Sequence, residues 1–359
     1  MKLRSLAFAA LTLGPFALAC GDATPAALPP ATSSASGSGA ASAPPAASSA
    51  PPAASSVEVA PKTIPMAELQ LASLEASVAA LNAHDAKKYV ALFTRTAIHK
   101  EAATRDLTGR DEIARRMQLL FDAFPDFKFS FDHVWQKGDV VAASWRWTGT
   151  DKGSGFMGKR PTNRRVGVQG VTVGFYNIDG LVREVHVYED GQNLLSQIDP
   201  AAKAGSFRAA PLDATTPMDV AREGADEEKN TAVARAFYAA LETKKEADTA
   251  ALFADDATVD DLALPSKPGK GPVAWKALLR SWTGNFSGFT ELPLFNLMAV
   301  GDTVIVERVL KGQVAPGASV VLHAADVIQL KSGKIAALAT YSNTLELVSQ
   351  VGTKGLRRP

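Results

Sequence analysis

The residues best suited to chemistry lie on alternate positions of one segment, Arg183–Ile198. Alternate side chains of a β-strand share a face. The shared face of this segment carries Glu184, His186, Tyr188 and Asp190. Carboxylate, imidazole and phenol groups can exchange protons, and a carboxylate facing a pocket can act as a general base. The segment therefore predicts an acid–base site just ahead of a short apolar helix.

A second copy of this segment occurs near the C-terminus, at Ala337–Val351, where Asn343 stands in the place of Asp190. Asparagine caps a helix as well as aspartate does, but it cannot act as a base. Capping of the following helix therefore explains both copies, whereas base chemistry explains only the first. Both interpretations of Asp190 stay open.

Two histidines follow the same pattern of loss. His99 and His186 are replaced in the second copy by Val259 and Ala339. Their joint loss with the acid favours a shared role, as hydrogen-bond donors to a substrate oxygen or as groups that orient Asp190. The alternative is that both are ordinary surface or core histidines. No closely spaced ligand motif supports a metal site, and no cofactor is indicated.

The rest of the chain repeats in the same way. Landmarks recur in the same order in two blocks, pairing Ala91–Phe93 with Ala251–Phe253, Gly138 with Gly301, Gly149 with Gly312, and Gln197 with Gln350. Gene duplication explains ordered landmarks of this kind. The second block is shorter, because it lacks the loop Gly153–Asn163.

Each block has helical patterns first and strand patterns after. Leu71, Leu74 and Val78 recur at helical spacing. Strands are predicted near Lys128–Val134, Val140–Thr148, Arg165–Tyr176, Leu181–Tyr188, Thr303–Lys311, Ser319–Leu330 and Ile335–Tyr341. This order is typical of an α+β fold with helices packed on one face of a mostly antiparallel sheet. Trp145 and Trp147 alternate on one predicted strand, which suits a pocket wall or core packing.

A family resemblance adds to this interpretation. The residues that carry it are Asn82, His84, Asp85, His99, Gly109, Arg110, Phe124, Phe127, Tyr188 and Asp190. In this order they resemble the SnoaL-like polyketide cyclase, or ester cyclase, family of the nuclear-transport-factor-2-like superfamily. The resemblance covers about Met66–Ile198, and the second block joins it mainly through the internal repeat.

The resemblance implies two cone-shaped α+β domains, each with helices packed on a curved, mostly antiparallel sheet around an apolar pocket. It places the family's catalytic carboxylate at Asp190 and its pocket histidine at His99. It also implies that the loop holding Phe156 borders the pocket mouth. The substrate-binding residues expected on this basis are Trp145, Trp147, Tyr188 and Phe156. The fold itself hosts enzymes, binding proteins and assembly modules.

The N-terminus has the features of an export signal. Lys2 and Arg4 precede the apolar run Leu6–Ala19, which ends at Cys20. Residues 1–20 resemble a lipoprotein-type signal peptide, which predicts lipidation of Cys20 and a lipid-anchored protein of the bacterial cell envelope, facing the periplasm or in the outer membrane. The alternative is an ordinary signal peptide with an unmodified cysteine. Residues 21–64, rich in Ala, Pro and Ser, are predicted to be a disordered linker.

The charge balance narrows the range of partners. The 359 residues include 38 Lys and Arg against 37 Asp and Glu. A balance this even predicts no nucleic-acid partner and leaves membrane contact to the lipid. The expected domains are 65–204 and a degenerate 225–353, joined by a linker at 205–224.

Together these features predict a first domain that binds a small apolar or carbonyl-bearing molecule. It would transfer a proton as an isomerase or aldol-type cyclase, with Asp190 as base and His99 and His186 in support. One rival hypothesis is a non-catalytic envelope binding protein. Another is an assembly protein whose sheets pair within the chain or in a homodimer.

Overall fold

The computed structural model describes residues 64–202, 208–211, 218–243, 245–264, 266–285, 287–291, 296–315 and 318–355. Cys20, the predicted signal peptide and nearly all of the predicted N-terminal linker lie outside these residues. Among the described residues, no helix has both the length and the apolar character needed to span a membrane.

The first block forms one seven-stranded sheet with its helices. The helices are α1 (Met66–Asn82), α2 (Ala86–Ala91), α3 (Arg110–Ala123) and α4 (Gly191–Ile198), with a 3-10 turn at Phe156–Gly158. The strands are β1 (Phe93–Glu101), β2 (Leu107–Thr108), β3 (Lys128–Lys137), β4 (Val140–Thr150), β5 (Arg165–Tyr176), β6 (Val182–Glu189) and β7 (Asp219–Ala221). Their order in the sheet is β2-β1-β6-β5-β4-β3-β7. Thus part of the predicted interdomain linker, 205–224, adds an edge strand to the first domain.

The second block repeats this arrangement. Its helices are α5 (Glu227–Glu242), α6 (Glu246–Ala250), α7 (Gly271–Asn285) and α8 (Thr344–Gly355). Its strands are β8 (Phe253–Asp261), β9 (Gly269–Lys270), β10 (Ser287–Glu291), β11 (Asn296–Val300), β12 (Thr303–Ala315), β13 (Ala318–Lys331) and β14 (Lys334–Ser342). In both blocks the last long strand pairs in parallel with the first, β6 with β1 and β14 with β8. The predicted fold class, two α+β domains of the nuclear-transport-factor-2 type, is confirmed.

Helices cover one face of each sheet because their apolar sides need burial. In the first domain Ile113 and Phe124 pack with strand residues such as Trp147. In the second domain Phe237 and Trp275 do the same. These helix-covered faces form the interiors of the two domains.

The opposite faces of the two sheets pack against each other. The buried apolar side chains of this junction are Trp135, Ala142, Val171, Val173 and Tyr188 from the first domain and Val300, Ile305, Ala325 and Val327 from the second. Burial of this surface stabilises the paired arrangement, since each apolar side chain removed from water contributes about 1.5–3 kcal/mol. The two domains therefore share a second apolar core.

A buried carboxylate lies within this junction. Glu307 of β12 is 1% exposed. It accepts a hydrogen bond from the Tyr188 hydroxyl at 2.6 Å, and its Oε1 lies 2.7 Å from Nδ1 of His186. The Asn296 amide donates to the other oxygen at 2.6 Å. A second carboxylate, Glu184, lies 2.8 Å from Nε2 of the same imidazole. These partners are what make burial of the charge tolerable, because an unpartnered carboxylate would be very costly.

The imidazole of His186 therefore bridges two carboxylates. Burial lowers the pKa of His186, but the hydrogen bonds and charges of Glu307 and Glu184 outweigh burial, so the pKa is raised above 6.5. A protonated imidazole then forms an ionic contact between the two domains.

This contact predicts a pH dependence of stability. Because the pKa of His186 is raised on folding, its stabilisation is complete below the unfolded pKa of about 6.5 and is lost as the pH rises through the folded value. Urea unfolding of the wild type and of His186→Gln, from about pH 6 to 9, should give free energies whose difference shrinks as the pH rises.

His133→Gln is the matched control. The ion pair of His133 with Asp219, at 3.2 Å, is exposed, and such pairs contribute little. Its ring also contacts Trp135. The difference between the free energies of unfolding of the wild type and His133→Gln should not show the trend expected for His186→Gln. If the difference between the free energies of unfolding of the wild type and His186→Gln also does not change with pH, the ionic contact is contradicted.

Candidate functional site

A cavity of about 130 Å³ lies in the interior of the first domain, between its helices and its sheet. Most of its wall is apolar and aromatic, including Leu81, Phe127, Phe129, Phe131, Trp145 and Trp147. A concave, mostly apolar pocket with a few polar groups is the usual form of a small-molecule site.

The two tryptophans predicted as pocket residues line this cavity. Because they alternate on β4, both indoles face the interior, where Trp145 lies 5.7 Å from Phe129 and Trp147 lies 5.2 Å from Phe127. The neighbouring strand makes room for the first indole with Gly170. A Cβ there would lie 2.3 Å from Cζ2 of Trp145, so the ring in its present position requires glycine.

The polar part of the cavity wall includes the acidic and basic side chains of His99, Glu101, Arg116 and Glu189, together with the phenols of Tyr89 and Tyr176. Glu101 is the last residue of β1 and Glu189 is the last residue of β6. Since these strands are parallel neighbours, both carboxylates come to the same edge of the sheet. Arg116 of α3 reaches this edge and pairs with Glu101 at 3.2 Å.

Glu189 is one of the two carboxyl groups of the cavity wall, and its pKa is raised. Burial raises the pKa of Glu189 to about 7, and the charge of Glu101 adds to the shift, while Arg116 and a hydrogen bond from Trp147 oppose it. A carboxyl group that titrates near neutrality can both accept and donate a proton. Glu189 was not among the residues predicted from the sequence. The signal for it was the apolar alternation Val185, Val187, which marks the interior face of this strand.

Two buried polar atoms of the cavity wall have no hydrogen-bond partner in the described part of the chain. They are Nδ1 of His99 and Nε1 of Trp145. Burial lowers the pKa of His99, so its imidazole is neutral near pH 7. The indole N–H can only donate, so it requires an acceptor. A ligand oxygen in the cavity would satisfy it, because buried donors are rarely left unpaired.

The structure separates the predicted site residues. His99 of β1 lines the cavity, whereas His186, predicted as catalytic, and Tyr188, predicted as substrate-binding, lie on the face of β6 that is turned toward the domain junction. Of the four side chains expected on one face of this strand, Glu184, His186 and Tyr188 share it, while Asp190 lies beyond the end of β6. Period-2 alternation alone cannot tell which face of a strand lines a cavity.

Asp190 follows β6 and caps α4. Its carboxylate accepts a hydrogen bond from the backbone N–H of Gln192 at 3.2 Å. It also accepts two bonds from Thr344 of the second domain, from the backbone N–H at 3.0 Å and from the hydroxyl at 2.7 Å. Burial raises the pKa of Asp190 to about 7, although the bonds from Thr344 and Gln192 oppose the rise. Asp190 is not among the residues that line the cavity.

Phe156 lies behind the cavity wall. Its ring packs on Phe124 at 5.6 Å, and Phe124 in turn packs on Trp147 at 5.1 Å. Phe156 therefore does not line the cavity that it was expected to border, and Phe124 separates its ring from the wall residue Trp147.

The matching interior of the second domain is occupied by charged side chains. The pairing of Trp145 with Gly170 corresponds to that of Arg308 with Ala324. Arg308 lies 2.6 Å from Asp326, both side chains are 1% exposed, and the guanidinium lies 5.0 Å from the Trp282 ring. An ion pair thus occupies the position of a cavity-lining indole.

The described residues contain no group of three or more His, Cys, Asp or Glu side chains arranged to hold a metal ion.

Comparison with known families agrees with the fold. The profile of the family described as SnoaL-like polyketide cyclase matches residues 72–198, and that of the SnoaL-like domain matches residues 234–338. None of the curated proteins matches the chain.

Solved structures resemble one domain at a time. A protein from Jannaschia sp. assigned to the SnoaL-like polyketide cyclases is 20% identical, with a TM-score of 0.35, over 37% of this chain and 93% of its own. AclR from Streptomyces galilaeus, assigned as a hydroxylase, is 25% identical, with a TM-score of 0.34, over 37% of this chain and 97% of its own. The third structure is a hypothetical protein from Catenulispora acidiphila with a ketosteroid isomerase-like fold, in complex with trimethylamine. It is 20% identical, with a TM-score of 0.30, over 35% of this chain and 93% of its own.

The unpartnered indole N–H of Trp145 predicts that, of two ligands of similar size, the one with a carbonyl oxygen binds more tightly. Acetophenone and ethylbenzene differ by one carbonyl oxygen, and a net hydrogen bond of about 1 kcal/mol would favour acetophenone about fivefold. Calorimetric or fluorescence titration should show this ratio for the wild type and lose it for Trp145→Phe.

Trp135→Phe is the control, because Trp135 is buried at the domain junction and not at the cavity. It should keep the wild-type ratio. A ratio that is unchanged in Trp145→Phe would rule out the indole as the donor.

Proposed function

We propose a function for a chain that belongs to the SnoaL-like family and carries two such domains in tandem. The first domain binds a small, largely apolar molecule with a carbonyl group and exchanges a proton with it through Glu189. The observation that carries this proposal is a carboxyl group with a pKa of about 7 in the wall of an aromatic cavity.

The size of the cavity limits the ligand. An apolar cavity of about 150 Å³ can hold benzene. A cavity of about 130 Å³ therefore suits a molecule of about one ring, or one ring of a larger molecule. The aromatic wall favours a flat, unsaturated group, since stacked and edge-on ring contacts add to the hydrophobic gain.

The polar groups support abstraction of a proton next to a carbonyl. Ionised Glu189 would accept the proton, and the Trp145 N–H and the neutral His99 imidazole would donate to the oxygen on which negative charge develops. Donors placed in a water-poor cavity stabilise such a charge more strongly than they would in water. This is the chemistry of an isomerase or an aldol-type cyclase.

Asp190, the base expected from the sequence, remains a rival to Glu189. Both carboxyl groups have a pKa of about 7 and they are adjacent in the chain. Only Glu189 lines the cavity, and a general base must come within hydrogen-bond reach of the proton it removes.

Hydrogen–deuterium exchange tests the proposal. Acetophenone has a methyl group next to its carbonyl, and its exchange in D2O can be followed by proton NMR with the full chain. Glu189→Gln should lower the protein-dependent exchange rate about 100-fold or more, since a general base contributes at least that much.

Asp190→Asn is the matched variant, because asparagine occupies the corresponding position, 343, in the second domain. It should retain most of the exchange. The opposite result, loss in Asp190→Asn and retention in Glu189→Gln, would assign the base to Asp190.

A second candidate function is binding without turnover. It is favoured by the junction of the two domains, which buries an apolar face of each sheet and gives the second domain a packing role without chemistry. If acetophenone binds but no variant changes its exchange, the first domain is a binding module.

We also propose that the protein is exported and anchored to the bacterial cell envelope through Cys20. This proposal is supported by the basic residues, the apolar run and the single cysteine of the N-terminal segment. The linker at 21–64 would then act as a tether for the folded domains.

Fatty-acid labelling tests the anchor. Bacteria that express the chain should be grown with a labelled fatty acid. The wild-type protein should then carry the label and be recovered with the membranes. Cys20→Ser should lose the label and the membrane association, whereas Ser5→Ala should keep both. A soluble, unlabelled wild type would contradict lipidation.

A further inference from the structure

We propose that Asn343 and Thr344 of the second domain are positioning residues for the cavity of the first domain. They hold the chain directly after Glu101 and Glu189, the two carboxylates of the cavity. This inference rests on the proposed role of Glu189, and it gives the second domain a part in that site.

The contact is a pair of helix caps that are exchanged between the domains. Asp190 caps its own helix α4 and also accepts both bonds from Thr344, at the start of α8. Asn343 caps α8 through the backbone N–H of Leu345 at 3.1 Å and accepts from the backbone N–H of Gly191 at 3.0 Å. Each cap residue therefore serves the first turn of both helices.

Asn343 also reaches the end of β1. Its side-chain amide donates to the carbonyl of Ala102 at 2.7 Å. Ala102 follows Glu101, and Asp190 follows Glu189. Each cavity carboxylate therefore lies one residue away from a hydrogen bond to the second domain. Asn343 is 2% exposed, so its amide is held by these bonds and not by water.

A charge link runs along the same contact. Burial raises the pKa of Asp190, and the charge of Asp261 adds to the rise, whereas the hydrogen bonds of Thr344 oppose it because they favour the ionised form. The charge of Asp190 in turn raises the pKa of Glu189. The other charged groups acting on Glu189 are Glu101, which raises its pKa, and Arg116, which lowers it.

The Thr344 hydroxyl therefore affects the pKa of Glu189 through the charge of Asp190. Loss of the Thr344 hydroxyl would raise the pKa of Asp190 and so reduce its negative charge near neutrality. With less negative charge beside it, Glu189 would ionise at lower pH. Removal of the Thr344 hydroxyl, which belongs to the second domain, should therefore lower the titration midpoint of Glu189 in the first domain.

Carbon-13 NMR of glutamate carboxyl groups in the full chain can measure this midpoint, with the Glu189 signal assigned by its absence in Glu189→Gln. Thr344→Val, which keeps the shape and the backbone N–H, should shift the midpoint of Glu189 downward. Thr344→Ser, which keeps a hydroxyl, should restore the wild-type value. Thr243→Val is the matched control, since the Thr243 hydroxyl donates to the carbonyl of Ala240 in the preceding helix α5.

Asp190→Asn serves as a second variant if Thr344→Val does not fold, because it removes the charge and keeps a capping side chain. It should lower the Glu189 midpoint further. A Glu189 midpoint that is the same in the wild type and in Thr344→Val would overturn the proposal, as would an equal shift in Thr243→Val. If Thr344→Val does not fold, an unchanged midpoint in Asp190→Asn would overturn it. The midpoint is read without ligand, so this result stands apart from any failure of the exchange experiment.

Discussion

Everything at the candidate site depends on the fact that a β-sheet has two faces and that both are buried here. Helices cover one face of each sheet, and the other domain covers the second face. Because successive side chains of a strand point to opposite faces, a shift of one residue decides whether a group faces the cavity or the domain junction. Along β6, Glu189 faces the cavity while His186 faces the junction.

The two faces put the same kinds of residue to different uses. At the junction, Glu307, His186 and Tyr188 partner one another, so their polar groups are satisfied within the protein. In the cavity, by contrast, the Trp145 indole N–H and His99 Nδ1 are buried without a partner among the described residues. Satisfied polar groups specify how two surfaces fit together, whereas unsatisfied donors in an apolar cavity point to a ligand. This difference separates the structural polar residues of the junction from the candidate functional residues of the cavity.

The second domain has the same fold as the first but a different interior. Arg308 and Asp326 occupy its interior as a buried ion pair, and Trp282 packs over the guanidinium. Its sheet still covers the outer face of the first sheet, and its last helix still exchanges caps with the first domain. The second domain therefore contributes to the pairing surface, while an ion pair stands in its interior where the first domain has a cavity-lining indole.

The sequence by itself determined the α+β class, the two repeated units, the long strands β3 to β6 and β12 to β14, and the placement of Trp145 and Trp147 on one face. These features follow from local periodicity, which is written in the order of residues along the chain. It also showed that Asp190 suits a helix cap, because Asn343 stands in its place. It did not predict β1, the strand that carries His99. Only the tertiary structure decided that Glu189, and not Asp190, lines the cavity. That choice depends on which face of β6 the helices cover and on what the second domain packs against, and neither contact is local in the sequence.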